Sequence, residues 1–338
     1  MARRATSAAN DNRNETNATP ALLATSLTLP AIASAQIMPR NITIICPFAP
    51  GGPTDLISRL MAEAMGPFLE AQMVVENVTG AGGTIGAARV ANARPDGSVL
   101  LMHHIGHAGA ASLYRRLPYD VEDSFAPIGL VTEVPQMIVA RPDFPASTLA
   151  ELLVALRAGG DRISIGNSGL GSSDHLAGML LQREAGTTLN TIGFRGSAPI
   201  STELMASRLD VYAGQGTILA PLVREGRIKA FAVTSETRLP GPVLDAVPTV
   251  IEAGKRDLLM SVWHGMYAPR GTPPELVERI SAALRQAIQQ PRVVQRFAEL
   301  VTEPVPQDRA TGAFHKRFLA AEVARWRPLI QSAGAFAD

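Results

Sequence analysis

Four short segments carry the residue types that hold or transform small molecules: FAPGGPTD (48–55), TGAGGTIG (79–86), NSGLGSSDH (167–175) and FRGSAP (194–199). Each joins an apolar run to a helical stripe, which places glycines and short polar side chains where a strand hands over to a helix. The first N–H groups of a helix lack intrahelical partners and point out along the positive end of its dipole, so such an elbow suits an anion. The anion is either a phosphate that reacts or a carboxylate that is only held. None of the four contains GxxxxGK[ST], the lysine and hydroxyl pattern of a P-loop.

Other chemistries fit the same segments less well. In TGAGGTIG, Gly80, Gly82, Gly83 and Gly86 miss GxGxxG by one position, and no acid ends a strand ~20 residues on, as a dinucleotide site requires. A tight turn with close helix–strand packing is the plainer reading. Ser168 fails the GxSxG pattern because Leu170 stands at the second glycine. Ser172 and Ser173 lie two or three residues from His175, a spacing that does not bring helical side chains face to face, so one of them is expected to cap that helix. His103, His104 and His107 form HHxxH, yet adjacent strand residues point to opposite faces and no nearby carboxylate completes a zinc set. A single imidazole at a strand end, His104, is the expected donor to a ligand. No metal, cofactor or catalytic residue is expected.

At Gly51 and Gly52 the backbone can approach a ligand, with the helix after Pro53 presenting its N–H groups. The same holds at Gly171 to Asp174 and at Gly196 to Ala198. Two such loops across a cleft clamp a carboxylate without lysine or arginine. Asp55 suits accepting backbone N–H bonds in its own loop; an ordinary first-turn acid is the alternative.

The rest of the chain must position these loops. Its 338 residues are comfortable for two domains, and 46% hydrophobic content supplies sizeable cores. A net charge of +1 offers no basic field to a nucleic acid or an acidic membrane, and 5% aromatics argue against base stacking. Cys46 is the only cysteine, at the end of the apolar run Ile42–Ile45, which excludes an intrachain disulfide and suggests a small buried side chain. Arg3 and Arg4, the apolar PALLATSLTLPAIASAQ and the Ala33-Ser34-Ala35 ending resemble a secretory leader over residues 1–35. No later run approaches the ~18 apolar residues of a membrane span.

From Asn41 onward, strand-like runs alternate with helical stripes. Strands are expected over 42–48, 73–78, 99–103, 128–132, 137–141, 162–166, 189–194, 209–213 and 228–234. Helices are expected over 56–68, 83–93, 149–158, 174–184, 274–289, 292–300 and 308–332, and between the last three strands. Repeated strand–helix units predict an α/β fold with mostly parallel sheets and a ligand site beyond the strands' carboxyl ends.

Taken together and in order, CPFAPGGPTDLISRLMAEAM, VVENVTGAGGTIGAARVANARPDGSVLL, LPYDVEDSFAPIGLV, GNSGLGSSDHLAGMLLQREAG, IGFRGSAPISTELMASRLDVYAGQ, GRIKAFAVTSETRLPGPVLDAVPTVIEAG and WHGMYAPRGTPPELVERI closely resemble the Bug (Bordetella uptake gene) family. These are the extracytoplasmic solute-binding receptors of tripartite tricarboxylate transporters, and the resemblance runs from about Ile42 nearly to the C-terminus. It implies a two-lobed Venus-flytrap fold of periplasmic-binding-protein type II character. Lobe one is expected over 42–135 plus 262–338 and lobe two over 136–261, with crossings near 133–137 and 261–265. It further implies a periplasmic monomer that binds a small carboxylate, through backbone amides and ordered waters, and delivers it to membrane partners.

Carried over residue by residue, Phe48, Ala49, Pro50, Gly51, Gly52, Thr54 and Asp55 form the first-lobe loop. Ser168, Gly171, Ser172, Ser173 and His175 form the second-lobe loop, with Arg195, Gly196, Ser197 and Ala198 beside it and Gln215 facing the cleft. The sequence departs from the family where FRG lacks the usual tyrosine, where WHG puts His264 after the tryptophan, and where HHIGH replaces a Ser/Thr-rich stretch. These changes favour a far end that is flat and hydrogen-bond accepting, hence an aromatic carboxylate such as terephthalate. An aliphatic di- or tricarboxylate is the alternative, as is a sensor feeding a signalling partner; a periplasmic enzyme lacks a motif.

Overall fold

From residue 38 to residue 334, the stretch that the computed structural model describes, strands and helices alternate as the apolar pattern predicts. The leader expected over residues 1–35 lies outside it. The chain opens with β1 (Asn41–Cys46), α1 (Pro53–Leu69), β2 (Gln72–Asn77), α2 (Thr84–Ala91), β3 (Val99–His104) and α3 (Gly106–Leu113). The long β4 (Phe125–Ala140) leads to α4 (Leu149–Gly159), β5 (Ser164–Asn167), α5 (Ser173–Ala185), β6 (Asn190–Gly193) and α6 (Ser197–Met205). Then come β7 (Val211–Gln215), α7 (Gly216–Arg224), β8 (Lys229–Val233), β9 (Ser261–Pro269), α8 (Pro274–Ala287), α9 (Pro291–Glu299), β10 (Glu303–Pro304) and α10 (Gly312–Ala333).

The strands run in the order β2-β1-β3-β9-β4-β7-β5-β6, with β8 and β10 also paired to β4. Pairing is parallel at the two flanks, where β1 joins β2 and β3 and β5 joins β6 and β7. It is antiparallel through the centre, around β4 and β9. The result is a mixed α/β architecture: helical crossovers serve the parallel flanks, and direct pairing builds the middle.

Several elements depart from the sequence expectation: α3, β9 and β10 lie where none is expected, and two expected strands merge. The runs at 128–132 and 137–141 are one strand, β4, continuous through Pro135. Its residues 125–135 pair with β9, whereas 136–140 pair with β7 on one side and 137–140 with β8 on the other. Pro135, which has no N–H to give a ladder, stands where the partners change, so its missing donor interrupts neither group.

Local sequence explains the helix that leads into the site. Pro53 opens α1 at a position whose N–H would have no helical acceptor. Ile57, Met61 and Met65 then bury one stripe in the core shared with β1's Ile42 and Ile44. A left-handed Glu70 ends the helix. The loops after β1, β3, β5, β6 and β7 all leave the carboxyl ends of their strands, where α/β sheets gather ligands.

Candidate functional site

Those loops enclose two adjoining cavities. The inner one has about 20 Å³ of free space and is lined by Phe48, Ala49, Gly52, Pro53, Thr54, His104, Ser168, Ser173, Gly196, Ser197 and Gln215. That is room for a single water or one carboxylate oxygen. The outer one, about 620 Å³, shares Phe48, Ala49, Ser168 and Gly196 with it and adds Pro47, Thr79–Gly83, Tyr114, Gly169, Leu170, Phe194 and Arg195. Its size is that of a small-molecule site.

Three helix starts meet at the inner cavity: Gly52 before α1, Ser172 before α5 and Gly196 before α6. First-turn residues of all three, Thr54, Ser173 and Ser197, border a space with no lysine or arginine in its lining among the described residues. His104 adds a neutral donor. Its Nδ1 accepts from the Gly106 N–H at 3.0 Å, which leaves the proton on Nε2, and burial pushes its pKa down to about 3. The Gln215 amide reaches Ser173 Oγ at 3.4 Å with one end and leaves the other buried without a partner. Such a group is satisfied by a ligand or a water.

Behind the cavity, two carboxylates fix the elbows. Asp55 Oδ2 accepts from the Gly51 N–H (2.9 Å) and Arg59 Nε (3.0 Å), and Oδ1 from Arg59 Nη2 (2.9 Å) and Asn77 Nδ2 (2.8 Å). Asp174 Oδ2 accepts from the Ser168 N–H (3.1 Å) and the Tyr212 hydroxyl (2.9 Å). Its Oδ1 accepts from Ser168 Oγ (2.8 Å), the His175 N–H (3.0 Å) and the Ser172 hydroxyl. Ser172 caps α5, and His175 Nδ1 accepts from the Gly171 N–H at 3.2 Å.

The expected residues therefore separate into two sets. Phe48, Ala49, Gly52, Thr54, His104, Ser168, Ser173, Gly196, Ser197 and Gln215 line the inner cavity, and Arg195 the outer one. Asp55, Gly171, Ser172 and His175 line neither cavity and hold the loops from behind; Pro50, Gly51 and Ala198 are exposed outside both. His264, expected as a donor at the ligand's far end, sits opposite His104 in the β3–β9 ladder. It is fully buried, with Nε2 3.2 Å from Thr54 Oγ1, because β9 runs beneath the cavity floor.

His103 and His104, expected on opposite faces, pack edge to face with centroids 5.2 Å apart, since β3 ends there and the chain turns at once into α3. His107 faces Tyr119, Phe125 and Tyr267 instead of the cavity. Among the described residues, no group of three or more His, Cys, Asp or Glu is arranged to hold a metal. Cys46 is buried, and burial pushes its thiol up to about 11. No helix among the described residues is long and apolar enough to cross a membrane.

Sequence reasoning missed Asp174, Tyr212, Tyr114 and the 79–83 loop. The glycines of that loop were the available signal, set aside as a tight turn because they fit no nucleotide motif.

Comparison with known proteins identifies the family and the fold. The sequence profile of the tripartite tricarboxylate transporter family receptor matches residues 57–335. A protein from the TAR-I ttuE-ttuC' intergenic region of Agrobacterium vitis is 41% identical, over 93% of this chain and 91% of its own length. The solved structure of the periplasmic binding protein BugD superposes with a TM-score of 0.84 at 38% identity, covering 88% of this chain and 99% of that one. MatC from Rhodopseudomonas palustris, with bound malate, gives 0.82 at 34% identity, covering 86% and 99%. With a family profile spanning most of its length, this chain belongs to the tripartite tricarboxylate transporter receptor family.

Proposed function

We propose that this protein is a periplasmic receptor that captures a small dicarboxylate between two lobes and delivers it to the membrane components of a tripartite transporter. As a member of a receptor family, it is a binding protein and not an enzyme. The lobes are residues 42–135 plus 262–338 and residues 136–261. The change of strand partners at Pro135–Gln136 in β4 supports that division.

The observation that carries the reading is the meeting of three helix N-termini on a cavity lined by no cation. A carboxylate is neutralised there by dipoles and neutral donors: the α1 and α6 amides, Ser173 and His104. MatC, with its bound malate, supports a carboxylate as the ligand. Because the inner cavity takes only a carboxylate end, the ligand body lies in the outer cavity among Phe48, Tyr114 and Phe194. Aromatic walls favour a flat body. Arg195, the one charged side chain lining that cavity, suits a second carboxylate. Terephthalate has that shape, with the far end read by Arg195 in place of His264. An aliphatic dicarboxylate is the second reading, favoured by the malate of MatC.

Closing the lobes brings both sets of amides onto one carboxylate, and this differential contact stabilises the closed form for a membrane partner to recognise. Thermal-shift screening followed by calorimetry with terephthalate, adipate and malate tests the reading. Binding of at least one is expected, with terephthalate tightest. Absence of binding to all three overturns it, and malate binding tighter than terephthalate selects the aliphatic alternative.

A further inference from the structure

We infer that the TGAGGTIG loop is a backbone seal that holds the cleft shut, with Gly82 and Tyr114 as its two positioning residues. The inference rests on the two-lobe reading above. The loop belongs to the β2–α2 connection, and its opposite number, Gly169–Gly171, belongs to the β5–α5 connection. The two connections meet main chain to main chain. A methyl group on Gly82 would overlap the Leu170 carbonyl oxygen outright and lie 3.3 Å from the Tyr114 hydroxyl. A methyl on Gly169 would lie 3.2 Å from the Gly82 nitrogen.

Tyr114, which follows α3, donates its hydroxyl to the same Leu170 carbonyl at 3.1 Å. A second contact of this kind flanks the first, because a β-carbon on Gly106 would come within 2.5 Å of the Gly171 carbonyl oxygen. Gly82 has φ +61° and Gly169 φ +120°, so these positions need glycine both for conformation and for the approach. The glycine spacing that fits no nucleotide motif thus has a physical purpose: it lets two loops touch without side chains between them.

A seal of this kind acts on the ligand through the closed population. The apparent dissociation constant is the intrinsic one divided by the fraction of molecules able to close, so weakening the seal weakens every ligand alike. It also speeds release more than it slows capture, because the contact forms after the ligand has entered.

The experiment measures affinity by calorimetry, release by stopped flow, and compactness by small-angle scattering, for the full chain with malate, adipate and terephthalate as probes. Tyr114→Phe removes one hydrogen bond, and about fivefold weaker binding with faster release is expected. Gly82→Ala adds the overlap, and roughly 30-fold or greater loss is expected, with no ligand-induced contraction. Gly226→Ala is the control for backbone strain: its φ of +66° matches Gly82, but nothing lies within 4 Å of the added carbon. It should lower thermal stability and leave affinity unchanged.

If both seal variants bind and contract like the wild type, the seal is wrong while the receptor reading stands. If Gly226→Ala loses as much affinity as Gly82→Ala, backbone strain explains the effect and the seal is again overturned. If the wild type binds none of the three acids, the carboxylate reading falls. The seal is then decided by ligand-free scattering, in which Gly82→Ala must be the wider molecule; equal curves overturn it.

Discussion

The two elbows that face each other across the inner cavity solve one mechanical problem with different chemistry. Each must hold a loop so that helix N–H groups point at a ligand, and each does so with a carboxylate turned away from that ligand. Asp55 is tied by a bidentate Arg59 and by Asn77, and Arg59 is half exposed. Asp174, as deeply buried as Asp55, is tied instead to two serine hydroxyls, a tyrosine hydroxyl and two backbone amides. Arg59, half in solvent, turns to water when its partner is lost and is screened by salt, so that pair contributes little and tolerates loss. A buried carboxylate with fixed donors tolerates almost none, because each abandoned donor stays dry. The second elbow is therefore the rigid jaw and the first the adjustable one.

The sharpest way to break that contrast is Asp174→Asn. The new amide nitrogen must face either the Ser168 N–H or the His175 N–H, and neither can rotate away. A loss of about 3 kcal/mol in urea unfolding is expected, with carboxylate binding abolished in calorimetry. A smaller loss than Asp55→Asn shows would reverse the assignment of rigid and adjustable jaws. Gly52→Val comes next, and it separates binding from folding. Gly52 has φ −78° and ψ 168°, which valine adopts freely, but its new β-carbon lies 3.3 Å from the Ala49 carbonyl and its methyls compete for the inner cavity. Affinity should fall by about 100-fold or more, while the melting temperature moves by less than about 3 °C. Tyr212→Phe is milder: Asp174 Oδ2 keeps the Ser168 N–H and loses one hydroxyl. About 1–2 kcal/mol of stability should go, with only a partial loss of affinity.

Much of this was readable before any coordinates. Pro53, Ser172 and Gly196 announce helix starts through local chemistry, and those starts sit where the pattern puts them. The mixed character of the sheet was less legible, because apolar runs do not say whether their neighbours run parallel or antiparallel. Long-range contacts were hidden altogether. Tyr212 reaches Asp174 across 38 positions, and His264 reaches Thr54 across 210, at spacings that no local period records. His264 shows the cost: beside a tryptophan it looked like a distal donor, yet ladder register with His104 puts it under the floor. Asp174 shows the opposite error, an acid passed over in an anion site although Ser168, Ser172 and His175 lie within six residues of it; only Tyr212 comes from another strand.

The smallest effect separates the jaws by pH. Burial alone would push Asp55 upward, but bonds from Arg59, the Gly51 N–H and Asn77 outweigh it and hold its carboxyl below the usual range. A carboxyl lowered in the folded state contributes stability that is complete above its unfolded value, ~3.9, and disappears as pH falls toward the folded value. The buried imidazoles act in a different window. His104 and His107 are pushed down to about 3 and about 4 by burial, so the unfolded chain takes up their protons first, starting near pH 6.5. Each then lowers stability by about 1.4 kcal/mol per pH unit on acidification, until its folded value is reached. Asp55→Asn should leave that earlier decline untouched and flatten only the limb below about pH 4. At pH 7 the loss should stay under about 1 kcal/mol and shrink further in 0.5 M salt, since Arg59 is half in solvent. An Asp55→Asn profile displaced equally at every pH, with no salt dependence, would mean that solvent does not relieve Arg59 and that the first elbow is as rigid as the second.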